Sequence, residues 1–359
     1  MRYVWFHLLT ALLALGFLSS QAAAESVRIS EKLSVVEIAD GVFLHTSDNN
    51  NGLVVISEGQ AFAVSTPATA AQTEELIDWI TRDQGASLIG FAADRWHPDA
   101  MGGLETVHEK GVRSYAHNRT RRIARARGLA VAQVGFDARM EVQVGRKTLT
   151  LDYLGEAHTK DGVVAWVAED KVLSGGNAVR NAGGWIGNIG DANLSQWSRT
   201  IERVEARYSD AVHVVPGHGK VAGPELLRYT IGLYDAFAKA DASAEALDSG
   251  ACALEGPISI ERAGSDQTQG PVRELTEAAI LLQDAHKTIR IAAADLKIDT
   301  ASNRIRAPSG KLAIYDKVDG ACAARTDLVF DRLFAVEVDD AVGWAIVVEK
   351  AAPRPLPED

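Results

Sequence analysis

Basic charge and cysteine are what this sequence is short of. Lys and Arg number 37 against 48 Asp and Glu, a formal net charge of −11 at pH 7. That balance disfavours a nucleic-acid partner, because phosphate binding needs a basic face that releases counterions. The cluster Arg119, Arg121, Arg122, Arg125 and Arg127 is a local exception. Its interruption by Ile123 and small alanines marks it as the solvated face of a helix. The two cysteines, Cys252 and Cys322, carry no zinc-type spacing, and sequence leaves open whether they bridge each other. Long apolar runs are absent beyond the first twenty residues, so no later segment can span a membrane. With 47% hydrophobic and 24% charged residues, disorder is not the expectation either.

The N-terminus has the parts of an export signal: Arg2, an apolar run over residues 3–18, and the small-residue site Ala22-Ala23-Ala24. Residues 1–24 are therefore expected to be cleaved, leaving a periplasmic chain that is not membrane-bound. Loss of Arg2 leaves 36 basic against 48 acidic groups, a net charge of −12.

Past residue 33, short apolar runs at 35–38, 42–45, 53–56 and 61–64 are bounded by Gly and Asn and predict antiparallel strands. A helix is predicted over 72–83, where Leu76, Ile77 and Ile80 fall at helical spacing. A strand at 87–93, a polar loop at 94–100 and a helix at 104–110 follow. A second round repeats the pattern, with strands near 140–144, 148–153, 163–167 and 171–173, a helix at 194–208, a strand at 212–215 and a helix from 224 to about 246. Two comparable halves imply two packed sheets with helices outside, an α/β sandwich. The main domain is expected over residues 25–248. A Gly/Ser/Pro-rich linker over 249–270 and a small α+β module over 271–359 follow, the latter opening with a helix at 272–287.

Three Gly-punctuated turns after strands carry the chemistry. They are Asp94-Arg95-Trp96-His97-Pro98-Asp99, Gly155-Glu156-Ala157-His158 and Val215-Pro216-Gly217-His218. One His in a turn is ordinarily a hydrogen-bonded surface residue. Three such turns in succession favour a zinc centre, because imidazole nitrogen and carboxylate oxygen suit that ion.

These segments resemble class B metallo-β-lactamases, in particular the subclass with a His-x-His-x-Asp loop and a cysteine ligand, over residues 35–233. The stretches 72–80, 155–161, Gly187-Asn188-Ile189-Gly190-Asp191-Ala192-Asn193-Leu194 and 215–219 support the likeness. The resemblance implies a four-layered αβ/βα sandwich and two zinc sites, one at positions 95, 97 and 158 and one at 99, 177 and 218. His97, His158, Asp99 and His218 match. Arg95 replaces a histidine, Asn177 a cysteine, and Ser65 a supporting aspartate. Arginine stays protonated and brings a positive charge to a cation's place. It either swings out or pairs with Asp99 in the metal's stead. Asn177 offers only a weak amide donor, so the zinc complement is one, two or none. The resemblance further implies that Arg180 holds a substrate carboxylate, that Asn188 polarises a ring carbonyl and that Asp99 orients the attacking water. The function it implies is a monomeric zinc hydrolase of carboxylate-bearing cyclic amides. A non-catalytic ligand-binding relative and a lactone or thioester hydrolase are the alternatives.

Overall fold

The computed structural model describes residues 26–239, 258–284, 287–318, 321–337 and 344–353. The signal segment expected at 1–24 and Cys252 fall outside these residues, as does the Cys322 side chain. Among the described residues, no helix is long and apolar enough to cross a membrane.

Eight strands follow one another in chain order across the first sheet, from Val27–Arg28 to Val134–Phe136. They run antiparallel as far as Gln60–Val64, then parallel through Ser87–Ala93 and Ser114–His117. The second sheet has five strands, with Val172–Gly176 parallel to His213–Pro216 and the rest antiparallel.

Side-chain alternation along the strands builds the layers. Leu53, Val55, Phe62 and Val64 pack with Leu149, Leu151, Val167 and Val172 between the two sheets. Their neighbours Val54, Ala61 and Ala63 point the other way, against Leu76, Ile77, Ile80 and Leu104 of the outer helices. In the second sheet Val164, Trp166 and Leu173 likewise turn outward, to Trp197, Ile201 and Val204 of helix Leu194–Arg207. The α/β sandwich expected from the sequence is thus present, with helices on both outer faces. Helix Ala70–Asp78, capped by the Thr69 side chain, widens into a single π turn over Trp79–Asp83.

The C-terminal region departs from expectation. The helix expected at 272–287 is not found among the described residues: Val272–Gln283 is a strand, paired with Ile258–Arg262 on one side and Lys287–Asp299 on the other. The buried run Ala278–Ala279–Ile280–Leu281–Leu282 has no period that separates strand from helix, and strands on both sides satisfy its backbone. The expected linker contributes two strands, Ile258–Arg262 and Ser265–Gln269. The described part of the expected α+β module is therefore all strand.

This third sheet also recruits Gly187–Asn188 from the main domain, pairing it with Val348 and Val347 of strand Trp344–Pro353. Its inner face, including Leu282, Ile291, Leu312, Trp344 and Ile346, shares one buried cluster with Trp197, Leu227 and Tyr234. Each fully buried aliphatic side chain contributes about 1.5–3 kcal/mol, so the region is cemented to the sandwich rather than tethered to it.

Candidate functional site

All three turns converge at the strand ends where the two sheets meet. After strand Ser87–Ala93, Asp94 and Arg95 turn inward, and Pro98 opens a short helical turn, Pro98–Met101, that presents Asp99. The turn after His213–Pro216 passes so close to Asn177 that a Cβ at Gly217 would lie 1.8 Å from Asn177 Oδ1. Only glycine fits there.

Arg95 fills the centre and is 2% exposed. Its Nη1 donates to Asp94 Oδ1 and Oδ2 at 2.9 and 3.0 Å. Its Nη2 lies 3.1 Å from Asn50 Oδ1 and 2.6 Å from Asp99 Oδ2. Burial by itself pushes both carboxyls up. For Asp94 burial prevails over the pull of Arg95 and the group ends raised. For Asp99 the charge and hydrogen bond of Arg95 prevail, holding it well below the usual carboxylate range.

His97 Nε2 lies 3.0 Å from Asp191 Oδ2 and its Nδ1 lies 3.2 Å from His158 Nε2. A carboxylate only accepts, so Nε2 of His97 carries a proton toward Asp191, while either ring can donate across the His97–His158 contact. Burial, then the neighbouring His97, Arg180 and Arg95, hold His158 well below the ordinary imidazole range. Its Nδ1 is buried without a partner, as are Asp99 Oδ1 and Asn177 Oδ1. Asn177 Nδ2 donates to Asp99 Oδ2 at 3.0 Å and sits 3.4 Å from His158 Nε2. A cavity of about 20 Å³, bounded in part by Asp94, Arg95, His158 and Asn177, leaves room for a single water.

The open side belongs to Asp99 and His218, with side chains 27% and 38% exposed and 3.7 Å apart. His218 Nδ1 donates to the Asn49 carbonyl at 2.8 Å, which leaves the Nε2 lone pair toward Asp99. Burial lowers the pKa of this imidazole despite the nearby Asp99 carboxylate.

Arg180 is turned inward: its Nε donates to the Tyr234 hydroxyl at 3.0 Å and its guanidinium lies 4.9 Å from the Trp197 ring centroid. Asn188 Oδ1 accepts from Gly190 N and Ile346 N at 3.0 and 3.1 Å, so only its Nδ2 is left for a ligand. Ser65 lies at a strand end with φ +64°, and its carbonyl accepts from His45 Nε2 at 2.9 Å.

Sequence reasoning missed Asn50, Asp191, Arg127 and Lys287. Asp191 lies inside the stretch 187–194 that carries the family likeness, but its partner Lys287 comes from the third sheet, and Arg127 from the end of the basic helix. Arg127 does not join the solvated face: it lies 4.0 Å from the Trp96 ring centroid and 3.9 Å from Asp191 Oδ1.

The donor set does not fit a pair of metal ions. Two of six expected positions hold Arg95 and Asn177, and Asp99 is engaged by both. Among the described residues no group of three or more His, Cys, Asp or Glu is arranged to hold an ion, whereas a catalytic zinc takes three protein ligands.

No family model matches the chain. Among curated proteins, the metallo-β-lactamase type 2 of Bacteroides fragilis is 35% identical over 229 residues, 61% of this chain and 92% of that protein. The type 2 enzyme of Pseudomonas aeruginosa is 30% identical over 207 residues, 55% and 82% of the respective chains. Among solved structures, the DIM-1 metallo-β-lactamase exposed to ceftazidime superposes with a TM-score of 0.55 at 33% identity, covering 57% of this chain and 97% of its own. TMB-1 gives 0.55 at 34% identity, over 57% and 98%. Since the match spans nearly the whole of these relatives and the three turns fall where the sandwich brings them together, this chain belongs to the metallo-β-lactamases, a family of zinc-dependent hydrolases.

Proposed function

We propose that this protein is an exported hydrolase of carboxylate-bearing cyclic amides of the β-lactam class, acting in the periplasm from an altered centre. The relatives named for that activity support the substrate class. The Asp99–His218 pair at the cleft mouth carries the chemistry.

In the family, zinc supplies carbonyl polarisation and a more acidic bound water. What this chain's own residues do follows from their tautomers and exposure. With Nδ1–H spent on Asn49, His218 Nε2 takes a proton from water as the oxygen bonds to the ring carbonyl carbon. The ring C–N bond breaks, and His218 returns the proton to the departing nitrogen. Asp99 holds the water before attack and stabilises the imidazolium afterwards. Asn188 Nδ2 is the group left to meet the ring carbonyl.

The test is turnover of a chromogenic cephalosporin by the full chain. Hydrolysis is expected, falling about a hundredfold in His218→Ala while cephalosporin binding persists. Turnover indifferent to that substitution sinks the assignment.

One observation favours a second reading, a ligand-binding protein without turnover: the Arg95 guanidinium, 2.6 Å from Asp99, stands in for a metal's charge. Saturable cephalosporin binding with no hydrolysis establishes that reading instead.

A further inference from the structure

One side chain of the third sheet reaches the carboxylate beside His97. Lys287, 2% exposed at the start of strand Lys287–Asp299, places Nζ 3.2 Å from Asp191 Oδ1. The other oxygen of Asp191 takes the His97 Nε2 proton at 3.0 Å. The segment carrying Asp191 is fastened to the same sheet by its backbone. Gly187 and Asn188 pair with Val348 and Val347, Ile189 N donates to Ile346 O at 2.8 Å, and Ile346 N donates to Asn188 Oδ1 at 3.1 Å.

We infer that the C-terminal sheet is a built-in wall of the cleft, and that Lys287 is a positioning residue that sets the His97 ring by holding Asp191. The competing cation gives Lys287 its role. Arg127 Nη2 lies 3.9 Å from the same Asp191 oxygen that Lys287 holds, and its guanidinium sits over Trp96. Without Lys287, Asp191 closes on Arg127 and releases the imidazole. With it, the carboxylate ties the third sheet to the His97 loop and holds the His97 ring by its Nε2–H. Loops of this kind are ordinarily among the least protected parts of a fold. Gly187–Asn188 is instead the edge strand of a sheet, with Ile186 N and Ile189 N donating to Glu349 O and Ile346 O on either side. This inference concerns the cleft assigned above, but its readouts are ring and amide signals rather than turnover, so its failure is distinct from failure of the hydrolase reading.

The experiment compares the full chain with Lys287→Met and Lys287→Arg by imidazole ¹⁵N shifts of His97 and by amide hydrogen exchange over residues 186–192. Wild type is expected to show a single Nε2-protonated ring and protected amides. Lys287→Met is expected to show mixed tautomers and exchange about tenfold faster, and Lys287→Arg to restore both. A folded Lys287→Met protein with wild-type ring shifts and exchange overturns the inference, as does an Arg variant that behaves like Met. If Lys287→Met does not fold, Asn188→Ala, which deletes the acceptor for Ile346 N–H and leaves every charge in place, carries the test. Unchanged exchange at 186–192 in that variant is equally fatal.

Discussion

Arg95 Nη2 and Asp99 Oδ2 meet at 2.6 Å in the middle of the cleft, and the same guanidinium holds Asp94 from its other nitrogen. One cation thus binds two carboxylates at the point where the family places ion and ligands.

Arg95→Met should therefore destabilise the fold rather than free the site. It leaves Asp94 buried beside Asp99 with no cation between them, a loss of about 3–5 kcal/mol for a broken buried pair. Urea denaturation at pH 7 measures it, and a change below about 1 kcal/mol contradicts the central placement of this pair.

Protein purified without chelator should carry well under one zinc per chain by elemental analysis, since among the described residues no three suitable donors converge. Arg95→His combined with Asn177→Cys should raise this to about two and increase cephalosporin turnover. Stoichiometric zinc in the unaltered chain contradicts the donor count.

Acid should weaken the protein through His45. Burial drives its pKa from 6.5 to about 4, opposed by its hydrogen bond to Ser65. The folded state therefore binds fewer protons than the unfolded one in this window. Stability is fully present above about pH 6.5 and lost as pH falls toward 4, a drop of about 3 kcal/mol from this group. Denaturation midpoints at pH 7 and 4.5 check it, and a His45 ring that titrates near 6.5 by NMR contradicts it.

Trp344→Ala should cost about 3–5 kcal/mol as a fully buried aromatic truncation. Because Trp344 shares its cluster with Trp197 and Tyr234, unfolding should remain one cooperative transition. A separate early transition for the third sheet is the contrary result.

The sandwich was legible because its strands are short apolar runs between turn residues, as at 53–56 and 61–64, and because Leu76, Ile77 and Ile80 declare a helix. Gly and Asn mark the turns between them. The three site turns were legible for the same reason, as imidazoles sit where strands stop. Residues 272–283 were not, since a five-residue apolar run meets strand and helix patterns equally and only its neighbours decide. The Arg95 contact with Asp99 was one of two open possibilities, and packing chose it. Lys287 and Arg127 were invisible because nothing local distinguishes a lysine that will be buried against a carboxylate 96 positions away.

The pairing of Asn188 with the final described strand also sets an order of events. Ile346 N donates to a side chain 158 positions earlier, and such distant contacts form late because a long loop must close first. As the polypeptide emerges during synthesis, the sandwich can pack while one side of its cleft is still unmade. That side waits for the last strand to arrive.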